Sequence, residues 1–246
     1  MLIPFKEIVR KYNMKINGVI QVGVHHSEEH DEYLECGISK FIYIEPCAKA
    51  YQFIIDKFIG EDAKKYYDKE YATWGSIKKE GDKQISQSVS ILNFACSDKE
   101  GLQPMYVSHQ NEGQSNSLLQ PKLHLEQHKE IIFDDAEVVR VAKLDTLMNK
   151  YVFSITPKEE RNILFNMLVM DVQGAEGLVL KGATETLNHI DYIYTEINTG
   201  ETYEGNMLVG EMDKFLEPFG FIRVETFLPS PNWTWGDGIF IRKTLL

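Results

Sequence analysis

Three runs in this chain close an apolar stretch on a carboxylate or a glycine, the pattern of strand ends that meet a ligand. Residues 164–176 read LFNMLVMDVQGAE, ending an apolar run on Asp171 and turning through Gly174. Residues 40–46 read KFIYIEP, ending on Glu45 and Pro46, and residues 18–24 read GVIQVGV, bending at Gly23. In an open α/β sheet the carboxyl ends of parallel strands share one crevice, so groups distant in sequence touch one ligand there. Gly23 admits close backbone approach, and an acid about 20 residues further on suits the paired hydroxyls of a ribose. Asp171, Glu196 at the end of DYIYTEI, His25 and His26 are the groups placed to take a proton.

A dinucleotide loop needs GxGxxG, whereas GVHHSEE has one glycine followed by Glu28 and Glu29. Those charges oppose a pyrophosphate at a helix start, so a ribose-containing ligand without phosphates, such as S-adenosylmethionine, fits better. A divalent cation between Asp171 and Glu196, near Asn198, is the lesser alternative, because hard cations need more oxygen ligands than these. No metal ligand is assigned. His124 and His128 lie four apart but lack the glutamate of HExxH, so both are expected in solvent. Glu176 is expected to anchor the helix start or the loop before it. Tyr203, Trp233 and Trp235 fall in loops where they stack on a sugar ring or cover the core edge, and Tyr66, Tyr67, Tyr71 and Trp74 form a lid or an oligomer contact.

The scaffold follows from periodicity. A leading helix is expected within residues 1–16, then a strand over 18–24 and a helix with Ser27 as N-cap. A second strand–helix unit spans 40–58. Residues 60–88 are crowded with charge and read as a surface insertion, partly helical, before a strand over 89–96. The connection from 104 to 137 is long enough to be functional, with a strand at 138–141. A helix over 144–151 and a polar loop at 157–161 precede the Asp171 strand. A helix after Glu176, a strand over 191–197, a helix over 208–219 stopped by Gly220, and a closing strand pair at 221–227 and 238–242 complete the chain. Alternating strands and helices with a terminal pair indicate one α/β domain over 1–246, built on a mostly parallel sheet with an antiparallel edge.

Composition bounds the partners. The 246 residues carry 37 Asp and Glu against 26 Lys and Arg, a net charge of −11. That balance argues against a nucleic-acid backbone as partner. The three cysteines are far apart with no CxxC pair, so neither a disulfide framework nor a zinc site is indicated. The charged N-terminus lacks a signal-peptide run and no 18 apolar residues follow one another, so no membrane partner and a cytoplasmic location are expected. Oligomeric state is left open.

The runs VIQVGVHHSEEHDEYL, FIYIEP, LNFACSDKEG, VVRVAKLDTL, NMLVMDVQGAEGLVLKGA, YIYTEIN and GDGIFIR together resemble the FkbM family of S-adenosylmethionine-dependent methyltransferases. The resemblance covers nearly the whole chain outside residues 60–87, and MDVQGAEGLVLKGA is its most specific piece. It implies a Rossmann-like class I methyltransferase fold, a seven-stranded mostly parallel sheet with an antiparallel edge strand and helices on both faces. It also implies methyl transfer to oxygen on a glycan or other small hydroxyl acceptor. Gly23, with Val24 and His25, then meets the methionine moiety, Glu45 and Pro46 the ribose, and Ala95, Cys96 and Ser97 the adenine. Asp171 lies near the transferring methyl. The stretch QSNSL, with Ser115 and Ser117, belongs to the acceptor side, as do Gln173, Asn198 and Tyr203. Gln21 stands where an acid is frequent and Ser27 where glycine is frequent, which leaves a non-catalytic binding module as an alternative. A nicotinamide oxidoreductase is disfavoured by the missing GxGxxG. A nucleic-acid methyltransferase is disfavoured by the charge and by DVQG in place of an NPPY motif.

Overall fold

The computed structural model describes residues 2–59, 71–80, 83–152 and 164–246, with side chains omitted at 71–80 and 83–86. Tyr66, Tyr67 and the polar loop at 157–161 lie outside the described residues, as do the side chains of Tyr71 and Trp74. The described strands are β1 (Val19–Val22), β2 (Lys40–Ile44), β3 (Tyr71–Glu80), β4 (Lys83–Leu92), β5 (Ala95–Cys96) and β6 (Gly101–Val107). They continue with β7 (Asp135–Ala142), β8 (Met167–Met170), β9 (Tyr192–Asn198), β10 (Phe221–Phe227) and β11 (Trp235–Arg242). The helices are α1 (Phe5–Lys11), α2 (His30–Glu35), α3 (Ala48–Phe58), α4 (His124–Gln127), α5 (Leu144–Leu147), α6 (Glu176–Lys181) and α7 (Val209–Leu216).

The main sheet has the order β10-β11-β9-β8-β1-β2-β4-β3. Strands β9, β8, β1, β2 and β4 run parallel, and β11 is antiparallel to both β9 and β10. The seven strands from β10 to β4 are the mostly parallel class I sheet expected from the sequence, and β3 adds an eighth, antiparallel to β4. The central strands β1, β8 and β9 are buried at every position, and alternate side chains join opposite cores, as a sheet covered on both faces requires. Phe41 and Tyr43 of β2 join one core with Tyr33 of α2 and Tyr51, Ile54 and Ile55 of α3. Ile42 and Ile44 join the other with Leu147 of α5, Leu180 of α6 and Leu216 of α7. Helices therefore cover both faces.

Three expectations need correction. Residues 71–80, within the insertion read as partly helical, form strand β3. The strand placed at 89–96 opens at Lys83 and closes at Leu92, and residues 95–96 pair instead with β7 in a small β5-β7-β6 sheet. The period-two run over 85–91, with Ile85, Gln87, Val89 and Ile91 alternating with Ser86, Ser88 and Ser90, carried that signal within charged surroundings. Ser27 does not cap α2, which opens at His30 without a side-chain cap. Its φ of 54° puts it in the left-handed region, and its Oγ donates to the His26 carbonyl and accepts from Lys57 Nζ. The chain spends residues 23–27 turning, so the helix begins later than the apolar pattern suggests. No described helix is long and apolar enough to cross a membrane.

Candidate functional site

The carboxyl ends of β1, β2, β8 and β9 open into a cavity of about 550 Å³, roofed by β5 and the loops after β6 and β9. That volume lies within the range of small-molecule sites. At its floor, Gly23 has φ +78°, and a Cβ there would meet the Asp171 carbonyl oxygen at 1.9 Å. Glycine is thus required first by the contact between the β1 and β8 ends. Glu45 follows β2. Its Oε2 accepts from Val24 N (3.2 Å) and His25 N (2.9 Å), and its Oε1 from Cys47 N (2.8 Å). The carboxylate thereby ties the glycine turn to the start of α3. A carboxylate offers about four acceptor positions, so one remains on Oε1. Burial raises the Glu45 pKa, against the three amides and His25, which lower it.

Beside Glu45 lies an apolar slot. Pro46, Phe94, Ala95, Cys96, Met105 and Leu118 line it. Burial holds the Cys96 thiol protonated, well above its ordinary range. Ser97 does not line the cavity; it is fully buried and its N–H is bonded to the Ala142 carbonyl, because residues 95–97 continue along β7.

The opposite wall is the acid corner. Gln173, at φ +53°, donates from Nε2 to Asp171 Oδ1 (2.7 Å) and to Glu196 Oε2 (3.2 Å). Its Oε1 accepts from Tyr203 OH at 3.2 Å, and Ser117 Oγ donates to its carbonyl at 2.7 Å. The amide bridges the two acids, in the position a cation between them would take. Gly174, at φ +90°, leaves room for the Tyr203 ring, which a Cβ would meet at 2.7 Å. Behind this layer Glu176 Oε1 accepts from Val172 N (2.9 Å), the loop-anchoring contact expected of it. Burial raises the pKa of Asp171. Burial, then Glu176, Asp171 and Asp237, raise that of Glu196 well above normal, and burial carries Glu176 to about 7.

Gly23, Val24, His25, Glu45, Pro46, Ala95, Cys96, Ser115, Asp171, Gln173, Glu196 and Tyr203 line one cavity. His26, Ser97, Ser117 and Asn198 do not. Ser117 and Asn198 act one layer back, Asn198 Nδ2 donating to Glu196 Oε1 at 3.3 Å. His26 is held outside by ring contacts with His25 and Phe53, at 3.8 and 4.3 Å. His25 Nδ1 pairs with Glu28 at 2.8 Å, and His25, His26 and Glu28 are the described trio whose ligand atoms come within 4.8 Å of one another. Burial depresses the His25 pKa, but Glu28 and the Glu112 carbonyl outweigh it, leaving the pKa raised.

Several lining groups were not anticipated. His124 is buried and His128 half-buried, against the expectation of solvent, because α4 is a single turn packed beneath the Tyr203 loop and Trp235, which opens β11 rather than lying in a loop. Glu29 accepts from Gln21 Nε2 at 3.1 Å and lines the cavity, so the turn supplies the acid absent at position 21. Asp237 reaches the cavity from β11 and accepts from Tyr194 OH. The GDG before IFIR was its only sequence trace.

The family model described as the methyltransferase FkbM domain matches residues 4–223. A curated relative, 2-O-methyltransferase NoeI of Sinorhizobium fredii, is 31% identical over 162 residues, covering 63% of this chain and 60% of that protein. The chain thus spans about three-fifths of the length of the curated relative it matches. Among solved structures, a putative tRNA (m1A22) methyltransferase of Streptococcus pneumoniae in complex with S-adenosyl-L-methionine aligns at TM-score 0.43 and 11% identity, covering 96% of this chain and 71% of that one. The methyltransferase domain of bacterial CtHen1 aligns at TM-score 0.41 and 9% identity, covering 96% and 94%.

Proposed function

We propose, from the premise that this chain belongs to the methyltransferase FkbM domain family, that it transfers a methyl group from S-adenosylmethionine to a hydroxyl of a glycan or other small molecule. The observation that carries the reading is the charge of the cavity. Glu28, Glu29, Glu45, Glu130, Asp171, Glu196 and Asp237 line it, and no Lys or Arg does among the described residues. Such a wall favours a cationic ligand, whose charge in turn opposes the burial that raises the pKa of Glu45, Asp171 and Glu196, and S-adenosylmethionine carries both a sulfonium and an ammonium. A dinucleotide brings phosphates that these carboxylates repel.

The residues present fit the donor. Glu45 keeps one acceptor position for a ribose hydroxyl, the slot beside Phe94, Ala95 and Cys96 suits a flat base, and Asp171 and Glu29 suit the ammonium. Ser27 and His25 hold left-handed backbone, at φ 54° and 48°, so the turn keeps its glycine-like course without a second glycine. This weighs against the non-catalytic alternative. When bound, the donor supplies an activated methyl whose leaving group is neutral sulfur. The chain's own tasks are to align the acceptor oxygen, exclude water and receive a proton. Oxygen as acceptor is supported by the relative's name, 2-O-methyltransferase.

The test is thermal denaturation with S-adenosylhomocysteine or NAD. Saturation with S-adenosylhomocysteine at about 100 times its dissociation constant stabilises by about 2.7 kcal/mol. NAD leaves the midpoint unmoved. A midpoint unmoved by S-adenosylhomocysteine sinks the reading.

A further inference from the structure

His124 is a buried base whose Nδ1 no described residue answers. The residue is 4% exposed, it lines the cavity, and its Nδ1 is buried with no hydrogen-bond partner among the described residues. A buried nitrogen stripped of water and left unpaired is costly, and a catalytic role is one of the reasons a native site keeps one. The ring is fixed on three sides, by His128 at 4.9 Å, Phe133 edge-on at 5.2 Å and Tyr203 at 5.3 Å. Tyr203 bonds through its OH to Gln173, and Gln173 bonds to Asp171, so His124 stands in the same packed wall as the acid corner. On its far side, Trp235 donates from Nε1 to His128 Nε2 at 3.1 Å and stacks on Trp233, with ring centres 5.3 Å apart and planes 14° from parallel. Trp235 lines the cavity too, offering an aromatic face of the kind that packs on the apolar side of a sugar ring.

We propose that His124 Nδ1 receives first the hydrogen bond and then the proton of the acceptor hydroxyl, while the acceptor's ring lies against Trp235. The inference rests on the methyl-transfer reading and assigns the acceptor side of the same cavity. In the step, the hydroxyl O–H breaks with its proton passing to His124, and an oxygen lone pair forms the new C–O bond. The S–CH3 bond breaks with its electron pair left on sulfur. Burial first, and then His128, lower the imidazole pKa to about 4, so the ring is neutral and able to accept. Glu130 acts in the opposite sense and favours the imidazolium once it forms.

The test uses the full chain, S-adenosylhomocysteine as the cofactor probe and a panel of methyl glycosides as acceptors. His124→Gln is expected to bind S-adenosylhomocysteine within about twofold of wild type. Its transfer rate at saturating glycoside is expected to fall about 100-fold, the general-base contribution, with little change in KM. Transfer within about threefold of wild type overturns the assignment. In wild type labelled with 15N-histidine, the His124 Nδ1 resonance is expected to shift when glycoside is added in the presence of S-adenosylhomocysteine. A resonance that stays in place overturns the assignment independently of how the variant folds. A wild type that binds no S-adenosylhomocysteine overturns the methyl-transfer reading and this inference with it. One that binds it but shows neither transfer nor shift overturns the acceptor site alone.

Discussion

Glu45 serves the fold and the ligand with one carboxylate, so its substitution has two measurable effects. Glu45→Ala strips the amides of Val24, His25 and Cys47 of their acceptor and removes the position left for a ribose hydroxyl. Hydrogen bonds to a charged group contribute about 1.5–3 kcal/mol, so affinity for S-adenosylhomocysteine is expected to drop about 10- to 100-fold by calorimetry, with a lower unfolding midpoint. Unchanged affinity would remove Glu45 from the site. Glu176 gives a pH signature. Its folded pKa, about 7, lies above its ordinary 4.5, so the folded state keeps a proton that the unfolded chain has lost. The stability this contributes is fully present below pH 4.5 and is lost as pH rises through about 7. Glu176→Gln keeps an acceptor for Val172 N and has no charge to bury, so its midpoint is expected to rise relative to wild type between pH 5 and 7 and then level off. A pH-independent difference contradicts the assignment. His124 acts oppositely below its ordinary pKa, and taking variant against wild type cancels that term. At this scale Asp171, Glu45 and Gly23 were legible because strand ends show in the pattern of apolar runs. His124 and Asp237 were not, since burial of a loop residue depends on what lies above it.

The turn after β1 and the turn after β8 are built against each other. A Cβ at Gly23 would meet the Asp171 carbonyl oxygen at 1.9 Å on a backbone of φ +78°, and one at Gly205, at φ +71°, would meet nothing within 4 Å. The pair separates backbone strain from collision. Gly205→Ala is expected to cost about 1 kcal/mol and Gly23→Ala at least about 3 kcal/mol, read from urea unfolding. Equal costs for the two would show that the β1–β8 contact is not tight. Element types were largely legible, as the 3.6-residue pattern of α3 and the apolar runs of β2 and β8 show. The failures were local. Ser27 reads as a cap in isolation but lies in the left-handed region, because the seven residues 23–29 have to bring the β1 end back to α2. Leu92 ends β4 and residue 95 begins a different sheet, a break that the continuous run VSILNFAC conceals.

The whole molecule is closed by β11, which inserts between β9 and β10 although it is last in the chain. Arg242 at its end clamps the return. Nε and Nη2 donate to the Ile190 carbonyl, Nη2 also to that of Leu187 (2.8 Å), and Nη1 to that of Phe219 (2.7 Å). Lysine has no planar fork to meet these carbonyls together, so Arg242→Lys is expected to lose about 1.5–3 kcal/mol in urea unfolding. Unchanged stability would mean that the clamp is redundant. By itself the sequence determined the α/β class, the parallel strands ending on Gly23, Glu45 and Asp171, and the family, because periodicity and local turns are encoded within a few residues of one another. The tertiary structure decided which groups share the cavity. It brought Glu29, Asp237 and His124 in, left Ser97 and His26 out, and joined Asp171 to Glu196 through Gln173. These placements depend on contacts between elements tens to hundreds of residues apart, and no local pattern records them.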